Sequence, residues 1–272
     1  LPFEIGNENL ENFINCGYDH LRITPNPEVG RKLSKICFIE YGQPLMAWII
    51  AVQTVTFRIS VLFNIPLIMF GEEGEVEYGG SSALKDVPFY DVEFSIKVYL
   101  SGIDPRQFAK EFSEKELYWW LYPSEEELRK VNLEIAHWSY FENWDSYLHY
   151  LIAKEKCGLK EMEQRCIGTY NNFAQTDTCL YDLHCYLMYL KFGFGRCTQD
   201  VGIDIRRGAL TREQGLNLVK AYDGEYPEPF IEKYLEYFRM TKEEFDAVLD
   251  KFANKNLFRK EKGRWIPTFE PH

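Results

Sequence analysis

The stretch Trp48-Ile49-Ile50-Ala51-Val52-Gln53-Thr54-Val55-Thr56-Phe57-Arg58-Ile59-Ser60-Val61-Leu62-Phe63-Asn64-Ile65-Pro66-Leu67-Ile68-Met69-Phe70-Gly71 decides how the chain is read. Trp48 to Phe63 is mostly apolar and too long for a strand, so it predicts a buried helix. Pro66 to Phe70 is a short apolar run closed by Gly71, which predicts a buried strand. The combined run has the length of a membrane span. However, Gln53, Arg58, Asn64 and Pro66 interrupt it, and a central arginine is costly in lipid. A core helix followed by a core strand is the reading that remains, with no membrane span.

On the N-terminal side the same alternation continues. Glu8 to Cys16 is helix-like and stops at Gly17, the favoured residue just past a helix end. Asp19 to Thr24 alternates like a short strand, and Pro27 to Glu40 predicts a helix with proline in its first turn. Helix and strand in alternation imply an α/β domain with a parallel sheet over residues 1–80. Ligands in such sheets sit beyond the carboxyl ends of the strands, which directs attention to the loop after Phe70. That loop carries Glu72, Glu73, Glu75 and Glu77 with Tyr78 among four glycines. It reads either as a solvated acidic turn or as a place for Mg²⁺ or a nucleotide, since hard cations take oxygen ligands.

Residues 81–143 read as an irregular, aromatic-rich connection. Asp104-Pro105 opens a short helix there, and a strand lies within Asn132 to Phe141. Residues 144–272 read as a mainly helical region. Thr211 with Gln214, and Thr241 with Glu244, have the spacing of capping boxes. The densest polar cluster is Lys191-Phe192-Gly193-Phe194-Gly195-Arg196-Cys197-Thr198-Gln199-Asp200, with Asp204, Arg206 and Arg207 after it. On a helix Arg196, Asp200 and Asp204 share a face. Arg207 projects to the same side as Arg196 three turns on, while Arg206 and Arg207 point about 100° apart. Cations beside a glycine-rich helix start suit a phosphate or carboxylate, and an ion-paired surface helix is the plainer alternative.

Composition narrows the field. Lys plus Arg total 31 against 42 Asp plus Glu in 272 residues, a formal net charge of −11, which argues against a general nucleic-acid binder. With 46% hydrophobic residues the chain can bury a core. Seven cysteines without a C-x-x-C pair fit reduced thiols in a cytoplasm rather than a zinc knuckle. The histidines form no H-E-x-x-H pattern, and no G-x-S-x-G elbow or G-x-x-x-x-G-K-[ST] loop is present, so no metal-ligand set is assigned. No signal peptide is visible, and a start at Leu1 instead of methionine predicts that it is not the natural one.

The chain resembles the N-acetyl sugar amidotransferases, relatives of the PP-loop ATP pyrophosphatases in surface-polysaccharide and nonulosonate synthesis. The resemblance rests on Phe3-Glu4-Ile5-Gly6, Asn9-Leu10-Glu11-Asn12, Asp19-His20 and Thr24-Pro25-Asn26. It continues through Phe63 to Glu72 and Glu77-Tyr78-Gly79-Gly80. In the second half it is carried by Gly168-Thr169-Tyr170, Lys191 to Arg196, Asp200, Ile205-Arg206-Arg207-Gly208, Thr211-Arg212-Glu213 and Asp223-Gly224-Glu225.

The resemblance implies a Rossmann-like PP-loop parallel sheet (adenine nucleotide alpha hydrolase-like) with its N-terminal part missing, and a C-terminal helical annex for substrate or partner. It implies conversion of a sugar acetamido group to an acetamidino group: ATP adenylylates the amide oxygen, ammonia displaces AMP, and pyrophosphate is released. Ammonia would come from a glutaminase partner through a cyclase-like subunit. The substrate would be a nucleotide-linked diacetamido uronic acid or a nonulosonate. Glu72 and Glu73 would lie near Mg²⁺-ATP, and Glu77 and Tyr78 would border the sugar or nucleotide. Lys191, Arg196, Arg206 and Arg207 would hold phosphate or uronate groups, and Asp200 would orient an arginine or the attacking ammonia. The family's Ser-Gly-Gly-Lys-Asp-Ser nucleotide loop is absent from the sequence. That absence predicts a chain inactive alone and leaves a non-catalytic sugar- or partner-binding fragment as the alternative.

Overall fold

The computed structural model describes residues 1–71, 89–142 and 144–271. In chain order the helices are α1 (Glu4–Ile14), α2 (Pro27–Tyr41), α3 (Met46–Phe63), α4 (Val92–Lys97), α5 (Glu114–Leu117), α6 (Glu125–Val131) and α7 (Ser146–Cys157). They continue as α8 (Leu180–Phe192), α9 (Arg196–Arg206), α10 (Arg212–Tyr222), α11 (Ile231–Phe238) and α12 (Lys242–Phe252). The strands are β1 (Leu67–Phe70), β2 (Glu134–His137), β3 (Phe258–Glu261) and β4 (Arg264–Pro267). The chain divides into two compact units. One comprises Leu1–Leu21, Lys35–Leu45 and Asp145–His272, and the other Arg22–Ser34 and Met46–Trp144.

In the second unit β1 and β2 pair in parallel, with Leu67 opposite Glu134 and Phe70 opposite His137. Asn64, at φ +54°, turns the chain out of α3 and into β1. Helix α3 buries Met46, Ala47, Ile50, Gln53, Thr54, Phe57 and Ser60. Its polar side chains have protein partners. Thr54 donates to the Trp119 carbonyl at 2.6 Å, and Arg58 donates to the Leu121 carbonyl at 2.7 Å while lying over the Tyr118 ring. Trp120 Nε1 donates back to the Ala47 carbonyl at 2.9 Å. By length and composition α3 is long and apolar enough to cross a membrane. Around β2, His137 is buried, hydrogen-bonded to the Tyr99 hydroxyl at 2.7 Å, and stacked on Tyr90.

Residues 19–24 form no strand. They are almost wholly exposed, and alternation alone does not make a strand where no neighbour accepts its backbone hydrogen bonds.

The first unit is helical apart from the β3–β4 hairpin. Its core stacks Phe38 on Phe238 with centroids 4.8 Å apart and sets Phe245 against both Phe38 and Tyr234. The buried Tyr234 hydroxyl donates to the Cys179 carbonyl at 2.6 Å, which meets the demand of a buried phenol for a partner. Thr211 with Gln214, and Thr241 with Glu244, close the capping boxes at the starts of α10 and α12. Gly215 lets α10 approach α9 closely, since a Cβ there would stand 2.4 Å from Val201.

Candidate functional site

Helix α9 organises the polar cluster, and its start is built by a residue far along the chain. Gly193, at φ +81°, ends α8 in the left-handed conformation, and Gly195 is the first flanking residue of α9. The Asp223 carboxylate accepts from Gly195 N at 2.8 Å, Cys197 N at 3.1 Å and Thr198 Oγ1 at 2.7 Å. A protein carboxylate thus occupies the anion position that a free helix start offers. Burial pushes the Asp223 carboxyl upward from its ordinary range, against the pull of these hydrogen bonds. A Cβ on Gly195 would stand 2.6 Å from that carboxylate, and one on Gly224 would stand 2.2 Å from the Tyr189 ring. The third member of this turn, Glu225, receives both terminal nitrogens of Arg165 at 2.6 and 2.9 Å and also Gly168 N at 2.9 Å.

One face of α9 lines a cavity of about 270 Å³, together with residues of α7 and of the 170–174 loop. Arg196 and Asp200 are both buried in its wall, with Nε 2.9 Å from Oδ1. The other Asp200 oxygen accepts from the Thr169 hydroxyl at 2.5 Å and from the Asn171 amide at 2.7 Å. A terminal nitrogen of Arg196 donates to the Tyr181 hydroxyl at 2.8 Å. One turn on, Asp204 accepts from the Tyr170 hydroxyl and, at 2.6 Å, from Nε of Arg207. Burial and the Asp204 carboxylate push the Tyr170 hydroxyl far above its ordinary range, so it acts as a donor. Arg207 lies over the Tyr147 ring, 5.2 Å from its centroid, and Phe173 stacks on Tyr150 at 4.3 Å.

The structure therefore brings Arg196, Asp200 and Arg207 together at one cavity. Arg206, on the last turn of α9, is exposed and is not among the lining residues. Lys191 serves elsewhere: its Nζ donates to the Tyr41 and Gly42 carbonyls, each at 2.8 Å, closing the end of α2. Burial lowers its pKa to about 8. Glu72, Glu73, Glu77 and Tyr78 lie outside the described residues. Among the described residues no group of three or more His, Cys, Asp or Glu side chains is placed to hold a metal ion.

Tyr147, Asn171 and Phe173 also line the cavity, and none of them belongs to a motif recognisable in the sequence. Asp204 carried a signal, its spacing of four from Asp200. Thr169 and Tyr170 stood in a motif without a role.

Chemically, the cavity offers two carboxylates and an arginine fork to hydroxyl and amide groups, and an aromatic wall to the apolar face of a ring. The charges are paired internally, and polar side chains and aromatic rings share the wall. Residues 167–270 match the family model described as LPS biosynthesis protein WbpG-like, C-terminal domain. That segment, less than half of the chain, is similar to proteins of lipopolysaccharide biosynthesis. It contains Thr169, Tyr170, Arg196, Asp200, Asp204 and Arg207. None of the curated proteins matches the chain.

Proposed function

We propose that the protein is an ATP-dependent N-acetyl sugar amidotransferase of lipopolysaccharide biosynthesis, converting an acetamido group to an acetamidino group. In this reading it works in the cytoplasm with a glutaminase and a cyclase-like subunit as ammonia source. The β1–β2 pair would be part of a PP-loop parallel sheet, and the helical C-terminal region would hold the sugar. The observation that carries it is the convergence, inside the segment similar to lipopolysaccharide-biosynthesis proteins, of motif residues from two separate stretches onto one cavity. In that cavity Asp200, Asp204 and Arg207 would bond the hydroxyl and amide groups of the sugar, and Tyr147 and Phe173 would face its ring. The α9 start does not fit a nucleotide phosphate, because Asp223 fills it. Mg²⁺-ATP would bind away from that position, with Glu72 and Glu73 nearby.

The same observation favours a second reading, a sugar- or partner-binding module without chemistry. Lys191 and Arg196 are both committed to protein partners. Calorimetry and pyrophosphate release distinguish the two. We expect a nucleotide-linked diacetamido uronic acid to bind, with roughly tenfold weaker binding for Arg207→Gln and Tyr147→Ala and little change for Arg206→Gln. Sugar-dependent pyrophosphate release from Mg²⁺-ATP and ammonium, by this chain or one extended upstream, supports the enzyme. Sugar binding without release by either chain supports the module. Absence of sugar binding overturns both.

A further inference from the structure

Of the seven free cysteines, five are buried, and the two that are partly accessible are Cys16 and Cys157. They are 141 positions apart in sequence, and the fold brings them together. Cys16 follows the end of α1, and Cys157 is the last residue of α7. The two helix ends are laced to one another. Asn12 Nδ2 donates to the Gly158 carbonyl at 2.9 Å, and Asn9 exchanges two hydrogen bonds with the backbone of Lys160, at 2.9 and 2.8 Å. Cys16, one turn beyond Asn12, places its Sγ 3.4 Å from the Asn12 carbonyl and 4.0 Å from the Lys156 carbonyl. That position, 4.0 Å from the carbonyl of the residue preceding Cys157, sets it beside Cys157, whose side chain is an electrostatic neighbour of the Cys16 thiol.

From this juxtaposition we infer that Cys16 and Cys157 form a reversible redox pair, closed into a disulfide by exchange with an oxidised low-molecular-weight disulfide. In the first step a thiolate of the pair attacks one sulfur of the small disulfide, forming a mixed disulfide and releasing one small thiol. In the second step the neighbouring cysteine attacks the protein sulfur of that mixed disulfide, forming the Cys16–Cys157 bond and releasing the second small thiol. The two cysteines lose two protons and two electrons, and the small disulfide takes up both.

Cys16 lies just past the C-terminal end of α1, where the macrodipole disfavours a thiolate. Desolvation and the Cys157 side chain raise the Cys16 thiol further. The pair is therefore a slow responder to thiol–disulfide poise and a poor target for rapid peroxide oxidation. Its closure matters because α1 buries no residue. Besides its hydrogen bonds to 158–160, α1 comes close to the backbone of residues 176–177 at Gly6, whose Cβ position lies 2.6 Å from the Thr176 carbonyl oxygen. A disulfide would fasten α1 to α7, the helix whose first turn lines the cavity.

The test uses the full chain, incubated natively in glutathione buffers from reducing to oxidising, then alkylated and digested with trypsin. The expected product links Leu1–Arg22 to Cys157–Lys160, with the intact mass lower by two hydrogens and no glutathione retained. Its thermal midpoint should rise by roughly 5–10 °C and return on reduction. Cys16→Ser, at a partly exposed position, should fold normally and yield no link, leaving Cys157 thiol or glutathionylated. Glutathione on both cysteines without a link, a link to any other cysteine, or no oxidation in fully oxidised glutathione would overturn the proposal.

Discussion

Arg196 and Asp200 are held in the cavity wall by more than their mutual charge. One oxygen of the carboxylate also collects the Thr169 hydroxyl and the Asn171 amide, while the other lies 2.9 Å from the guanidinium. Removing one partner strands the other as a buried charge. Arg196→Met is therefore expected to lose about 3–5 kcal/mol in urea denaturation. The double variant Arg196→Met/Asp200→Leu should recover part of that loss and leave only the unsatisfied Thr169 and Asn171 donors, about 1–3 kcal/mol. An additive double variant would show that the two do not act as a pair. A second residue-scale prediction concerns Asp182, buried on α8, whose pKa desolvation raises to about 8. Its folded-state value lies above its unfolded value near 4. Its favourable contribution is thus complete below about pH 4 and is lost as the pH rises through 8. Asp182→Asn should flatten the decline of thermal midpoint between pH 5 and 8. An unchanged slope would show that Asp182 ionises freely in the fold.

At the scale of elements, the start of α9 shows what a linear reading misses. The Asp223 carboxylate satisfies donors on residues 195, 197 and 198 across 25 to 28 positions of sequence. Asp223→Ala should cost about 1–2 kcal/mol, the range of a lost helix cap, and Asp223→Asn should cost less. Equal losses would mean that charge rather than acceptor geometry matters. Gly224→Ala should be worse than Asp223→Ala, because the Cβ meets the Tyr189 ring and Gly224 sits at φ +73°. Local signals were readable where the partner is local. The capping boxes at Thr211 and Thr241, the Asp104 cap before Pro105, the positions of α3 and β1, and the shared face of Arg196 and Asp200 all follow from neighbours in sequence. The β3–β4 hairpin was not readable, since Phe258-Arg259-Lys260-Glu261 is charged on both faces and shows no alternation. Lys191 looked like an anion ligand because the Tyr41 and Gly42 carbonyls it caps are about 150 positions away. Tyr147 and Phe173 are ordinary aromatics until the fold brings them to the cavity.

For the whole molecule, the order of the chain through its two units has a measurable consequence. The chain passes from one unit to the other at residues 21–22, 34–35, 45–46 and 144–145, and the second passage falls inside the continuous helix α2. Unfolding either unit alone would leave half of α2 without its packing, and a helix of seven or eight residues is unstable in isolation. The units are therefore expected to unfold together. Tryptophan placement makes this testable without labels. Trp48, Trp119, Trp120, Trp138 and Trp144 belong to one unit, and only Trp265 belongs to the other. Fluorescence thus reports mainly on the unit containing β1 and β2, while far-ultraviolet circular dichroism follows helix content, much of it in the unit containing α8 to α12. Urea titrations by the two probes should superimpose, with one midpoint. A fluorescence transition at lower urea would show that the β1–β2 unit unfolds first, with α2 frayed from its first half. Ser34→Pro, placed where α2 passes between the units, should lower both transitions together by about 3 kcal/mol. If it lowers one alone, α2 does not couple them.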